Sequence, residues 1–155
     1  MWDKLRKQVA LERQELQRLL ETHRPLLVKC AGTPPNAIEL SALAAMLHSF
    51  YNGIENILKR IAAEIDGRVP VGEFWHRELL ETMTQPNTAR PAAISEPLAE
   101  RLGEYLEFRH VFRHAYTFDL RWEKMRSLVQ GCQNTLASFE AELDVFLRAE
   151  PDPAS

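Results

Sequence analysis

Apolar residues recur at every third or fourth position along almost the whole chain, and no segment sustains a period-two alternation of β-branched residues. The pattern predicts an all-α fold. A first helix is expected from about Trp2 to Leu20 or a little beyond, with Leu5, Val9, Leu16, Leu19 and Leu20 on one face. His23-Arg24-Pro25 is expected to disturb it, because proline removes a donor and restricts the residue before it. Gly32-Thr33-Pro34-Pro35-Asn36 reads as a loop. The second helix, about Ala37 to Ile65, carries the longest apolar series, from Leu40 and Leu43 through Phe50 and Ile57 to Ile65, and Asp66-Gly67 supplies its stop. A third helix spans about Glu73 to Met83, and Gln85 to Pro91 is a polar loop. The fourth begins near Ser95, where a capping serine precedes proline in the first turn, and carries Leu98, Leu102, Tyr105, Phe108, Phe112 and Ala115. The last runs from about Asp119 to Leu147. Short connections favour antiparallel neighbours, so the expected architecture is an up-and-down bundle of four to five helices. Residues 1–150 form one domain in this reading, and a frayed tail begins at Glu150-Pro151-Asp152-Pro153, leaving 151–155 disordered.

Composition narrows the class. With 155 residues the chain suffices for one core, and a formal net charge of -3 argues against a general nucleic-acid coat protein, so any RNA contact is local. Cys30 and Cys132 stand in no metal-ligand spacing, which leaves a reducing cytoplasm as the expected location. No apolar run approaches the roughly 20 residues that cross a bilayer, and no membrane association is expected.

The chemistry concentrates in Arg109-His110-Val111-Phe112-Arg113-His114-Ala115-Tyr116. Arginine offers phosphate oxygens a permanent charge and a planar fork of donors, and histidine transfers protons near neutral pH. On an ideal wheel Arg109 and Tyr116, two turns apart, fall inside the apolar stripe of the fourth helix. An arginine there must snorkel, meet a carboxylate such as Glu107 or Glu55, or line a groove filled by another molecule. His114 is turned about 140° from Arg109 on a straight helix. A joint site therefore needs a groove edge, a distortion after Ala115, or a second subunit. His110 and His114 are spaced to share a metal but lack an obvious third ligand, which favours a solvated or RNA-facing role; Arg113 reads as phosphate-positioning or simply exposed. His48 and His76 read as partly buried helix residues, and Arg121, Lys124 and Arg126 as a solvated face or a basic rim. Tyr116 is open to a core role with a satisfied hydroxyl.

The order arginine, polar residue, three residues, histidine, any residue and tyrosine resembles the signature of the HEPN superfamily. In its RX4HXY form it resembles the HepT toxins of HepT/MntA toxin–antitoxin systems, with His110 where the family more often has asparagine. The likeness covers most of the chain from about Leu40 onward. It implies a metal-independent endoribonuclease that acts as a homodimer without a cofactor. In it Arg109 stabilises the phosphate charge and His114 serves as general base or acid at the ribose 2′-hydroxyl. It also implies a partner, a minimal nucleotidyltransferase antitoxin of the MntA kind that adds AMP to Tyr116. The competing expectation is a non-catalytic helical partner or regulatory subunit of a nucleotidyltransferase.

Overall fold

A computed structural model describes residues 1–150. It contains five long helices, α1 (Trp2–Cys30), α2 (Ala37–Ile61), α3 (Trp75–Met83), α4 (Glu96–His114) and α5 (Trp122–Leu147). The expected all-α bundle is present. Among the described residues the sole β pairing is an isolated bridge between Asn87 and Arg90. Helix α2 touches all four others, which explains the length of its apolar series. Leu43, Phe50, Ile54, Ile57, Leu58 and Ile61 are fully buried at its three- and four-residue spacing, and Gly53 lets α1 approach so closely that a Cβ there would lie 2.6 Å from Leu16 Cδ2.

Each end of α2 follows from local chemistry. Asn36 Oδ1 accepts the Glu39 N–H at 2.8 Å while the Glu39 carboxylate accepts the Asn36 N–H at 3.0 Å, so two otherwise orphaned donors are satisfied reciprocally. At the other end one π turn, Ala62–Asp66, leads into Gly67, whose φ of 71° suits a residue without a Cβ. The Asp66-Gly67 stop is thus observed. Immediately before it Asp66 grips Arg90 of the loop between α3 and α4: Arg90 Nε donates to Oδ1 at 2.7 Å and Nη2 to Oδ2 at 2.9 Å. This pair fastens the polar loop to the core.

Pro25 does not end α1. The helix continues through it to Cys30, ten residues past Leu20. Both Pro25 and Glu21, whose carbonyl loses its intrahelical partner, are exposed, so solvent can take that acceptor. Leu26 and Leu27 then resume packing on the core and Cys30 is buried, which holds the last turn in place. Past the end of α5, Arg6 Nη2 donates to the Glu150 carboxylate at 2.8 Å and to the Leu147 carbonyl at 2.9 Å, which ties α1 to the start of the expected tail. Residues 151–155 of the expected tail lie outside the described residues. Helix α3 starts at Trp75, and α5 starts at Trp122 after a 3-10 turn over Thr117–Asp119, both slightly later than the periodicity indicates.

Candidate nucleic-acid interface at the end of α4

Helix α4 enters the bundle buried and leaves it half-exposed. Ser95 caps it, accepting the Leu98 N–H at 3.3 Å, while Glu142 of α5 accepts from the Ser95 N–H and hydroxyl at 2.6 and 2.9 Å. Leu98, Leu102 and Tyr105 are buried, and the Tyr105 hydroxyl donates to the Leu128 carbonyl at 2.7 Å. Burial pushes the Tyr105 phenol up to about 12, so it stays a neutral core donor. One turn later the stripe changes character. Phe108, Arg109 and Phe112 are half-buried, whereas His110, Val111, Arg113 and His114 face solvent.

Arg109 lies on the inward stripe, as its spacing indicates, but no carboxylate among the described residues receives it. Its Nε donates to Asn52 Oδ1 of α2 at 2.7 Å. The two glutamates that charge matching indicates are engaged elsewhere: Glu55 accepts from His76 Nδ1 at 2.6 Å, and Glu107 lies 3.6 Å from Arg77. His76, further packed against the Trp75 ring, is a structural helix residue as expected. His48 stands one turn before Asn52 on α2, its ring centroid 5.5 Å from that of Phe112. Its Nδ1 is buried without a hydrogen-bond partner among the described residues. Burial lowers the His48 pKa, and the charges of Arg109 and Arg113 lower it further, so the imidazole is mainly neutral at pH 7. Because the unfolded chain holds that proton more tightly, His48 reduces stability as the pH falls below the ordinary imidazole value of 6.5. Replacing His48 by Gln is expected to flatten the fall in denaturation midpoint between pH 7 and pH 5; an unchanged slope would place the acid sensitivity elsewhere.

His114 is the last helical residue, and its ring meets His110 edge-on at a centroid distance of 5.0 Å. Within one chain it stands on a different side of α4 from Arg109, as the five-residue separation requires. Tyr116 corrects the sequence reading. The backbone turns extended at Ala115, with φ -105° and ψ 148°, and so carries Tyr116 off the helical face that Arg109 occupies. It is not a core tyrosine: 72% exposed, it stacks on the equally open Phe118 at a centroid distance of 5.2 Å and an interplanar angle of 6°. Beside the motif, α4 and the start of α5 enclose a cleft of about 390 Å³ lined by Phe108, Val111, Arg121 and Lys124, but also by Glu104 and Glu107. Arg121 and Lys124 thus reach the motif's flank, whereas Arg126 lines a separate cleft between α1 and α5.

Asn52 carries no chemical signature in the sequence, and His48 reads there only as a partly buried helix residue. The available signal was their four-residue spacing on the most apolar helix of the chain, where two polar side chains on one side need a partner. The cysteines add nothing to this site. Both are free and buried, and burial pushes the Cys132 thiol up to about 11, which suits inert core positions. Among the described residues no helix is long and apolar enough to cross a membrane, and no three His, Cys, Asp or Glu side chains are grouped to hold a metal ion.

The protein is therefore a helical bundle that presents an arginine–histidine motif at the exposed end of its penultimate long helix. A model of the HepT-like protein family matches residues 42–150, from within α2 to beyond the end of α5. That match spans well over half of the chain, and the chain belongs to the HepT-like proteins of the HEPN superfamily. Membership points to a HEPN-type toxin. No curated protein and no solved structure matches the chain.

Proposed function

We propose that this protein is an endoribonuclease toxin that cleaves RNA by attack of a ribose 2′-hydroxyl on the neighbouring phosphodiester. The observation that carries the reading is the state of Arg109: a half-buried guanidinium tethered through one nitrogen to a neutral amide, with its other donors unclaimed by a carboxylate among the described residues. Such a group attracts an anion. In the reaction the 2′-oxygen forms a bond to phosphorus and the bond to the 5′-oxygen breaks. One proton leaves the 2′-hydroxyl and one arrives at the departing oxygen. His114 serves the proton transfer and Arg109 the charge that develops on phosphate; His110 and Arg113, exposed on the same turn, position the backbone. Neither step requires a metal. DNA is excluded because it lacks the nucleophile.

The separation of Arg109 and His114 around α4 supports a homodimer, in which Arg109 of one copy and His114 of the other line one cleft. The partner antitoxin is a nucleotidyltransferase of the MntA kind, which silences the toxin by transferring AMP to Tyr116. The exposure of Tyr116 supports this, since its hydroxyl is reachable without unfolding. The same separation around α4 favours one other reading, a non-catalytic regulatory partner of the nucleotidyltransferase that contacts nucleotide through the motif.

Expression in cells lacking the antitoxin separates the two. Wild type is expected to arrest growth and yield new RNA fragments, and His114→Ala to do neither while remaining folded. Intact RNA with folded wild-type protein would leave only the binding partner.

A further inference from the structure

A half-buried arginine in a helical bundle ordinarily meets an aspartate or glutamate, because an uncompensated charge is costly away from water. At Arg109 the position facing its Nε is held by Asn52, and the amide orientation is unambiguous because arginine has no acceptor to offer. Of the α2 side chains that feel its charge, His48 packs against Phe112 and Tyr51 is a buried phenol, so neither offers a negative charge. Arg113, one turn on, has no carboxylate within ion-pair distance among the described residues. Glu55, three residues from Asn52, is committed to His76. Two guanidiniums thus rise beside a strip of α2 that fixes one of them without cancelling its charge.

We propose that Asn52 is the positioning residue of Arg109, and that its neutrality leaves the guanidinium charge free for an RNA phosphate. Asn52 does not touch the reacting atoms. It holds Nε, which orients the plane of the guanidinium and leaves Nη1 and Nη2, which no acceptor takes among the described residues, for two oxygens of one phosphate. This inference rests on the nuclease reading for its catalytic half and on anion binding alone for the other half.

The two roles of an acceptor at position 52 are separated by Asn52→Asp. Aspartate is nearly isosteric, keeps an oxygen toward Arg109 and converts the contact into an ion pair. A purely structural role predicts a chain at least as stable and as active as wild type. A positioning role that depends on neutrality predicts a stable chain with a spoiled site. The measurements are thermal midpoint, cleavage kinetics on a short RNA, and binding of the same sequence as 2′-O-methyl RNA, which lacks the nucleophile. Asn52→Asp is expected to melt no lower than wild type, to lose about tenfold or more in kcat/KM, and to bind the 2′-O-methyl RNA more weakly. Asn52→Ala is expected to lose about tenfold in kcat with a smaller change in KM, because the charge remains but its aim does not. Asn52→Gln, which keeps a neutral amide on a longer arm, is expected to recover part of that loss, and it decides the matter should Asn52→Asp not fold. Wild-type kinetics and binding in Asn52→Asp, or an unchanged kcat in Asn52→Ala, would overturn the proposal. A wild type that binds RNA without cutting it removes the nuclease reading, while weaker binding by Asn52→Asp still supports the role of Asn52. A wild type that neither binds nor cuts removes both.

Discussion

Arg109→Ala is expected to lower the rate of RNA cleavage by about 10²- to 10³-fold while leaving the helical fold in place. The fold should survive because the deletion costs one hydrogen bond to Asn52, of the order of 1 kcal/mol, and removes a half-buried charge that no carboxylate among the described residues compensates. The activity should not. In a metal-free transesterification the charge gathering on the phosphate oxygens has to be met by fixed donors, and Arg109 is the motif's inward, tethered cation. Arg109→Lys should recover little, since an ammonium cannot hold Asn52 through one nitrogen and present a planar pair of donors with the others. Arg113, exposed and untethered, supplies the internal comparison: its removal should act mainly through KM, and the loss should shrink as salt rises. Single-turnover cleavage of a labelled RNA at saturating protein reads the chemical step directly. A rate for Arg109→Ala within about threefold of wild type would mean that the inward arginine serves the bundle rather than the reaction.

The family match starts at residue 42, so α1 lies outside it. That helix is nevertheless part of the same core. Trp2, Leu5, Val9 and Leu16 are buried, and Arg13 bridges to Glu140 and Asp144 of α5 at 2.8 and 2.7 Å. It covers one flank of α2 and leaves the other to α4, so the side of α2 that carries His48 toward Phe112 stays with the motif.

How far the sequence can be read differs from element to element for physical reasons. Helix α2 was legible almost to the residue, because it is buried against four neighbours and every apolar position had to match the helical period. Pro25 misled because proline states only that a donor is missing. Whether a helix survives depends on what meets the abandoned carbonyl, and here both Glu21 and Pro25 lie at exposed positions of α1. Tyr116 misled in the opposite way. The helical wheel holds only as far as His114, and nothing in Arg113-His114-Ala115-Tyr116, neither glycine nor proline, announces that the helix stops there. The pairing of Arg109 with Asn52 spans 57 residues of sequence and two helices. Periodicity places Arg109 on its inward face, but it carries no information about which polar group of another helix meets it, and charge matching points to glutamates that are engaged elsewhere.

The largest effect on stability is expected at Asp66, remote from the motif. Arg90 has no exposed side-chain surface, and besides its bidentate pair with Asp66 its Nη1 donates to the Gln85 and Pro91 carbonyls, each at 3.0 Å. Asn87 adds a donor to the same carboxylate at 3.0 Å. The loop from α3 to α4 is therefore wound around one buried cation. Asp66→Ala leaves that cation desolvated and unpaired, and should destabilise the fold by about 3–5 kcal/mol, a large share of the stability of a chain this size. Removing the cation as well reverses the sign of the argument. In Asp66→Ala/Arg90→Met the buried charge is gone and an apolar chain of similar length fills its place, so the double variant should be more stable than Asp66→Ala alone. Urea denaturation of wild type, both single variants and the double variant closes the cycle. Additive losses would mean that the ion pair is incidental to the loop. A double variant that recovers most of the loss would show that Asp66 is needed because Arg90 is there, and that the carbonyls around Arg90 contribute less than its charge demands.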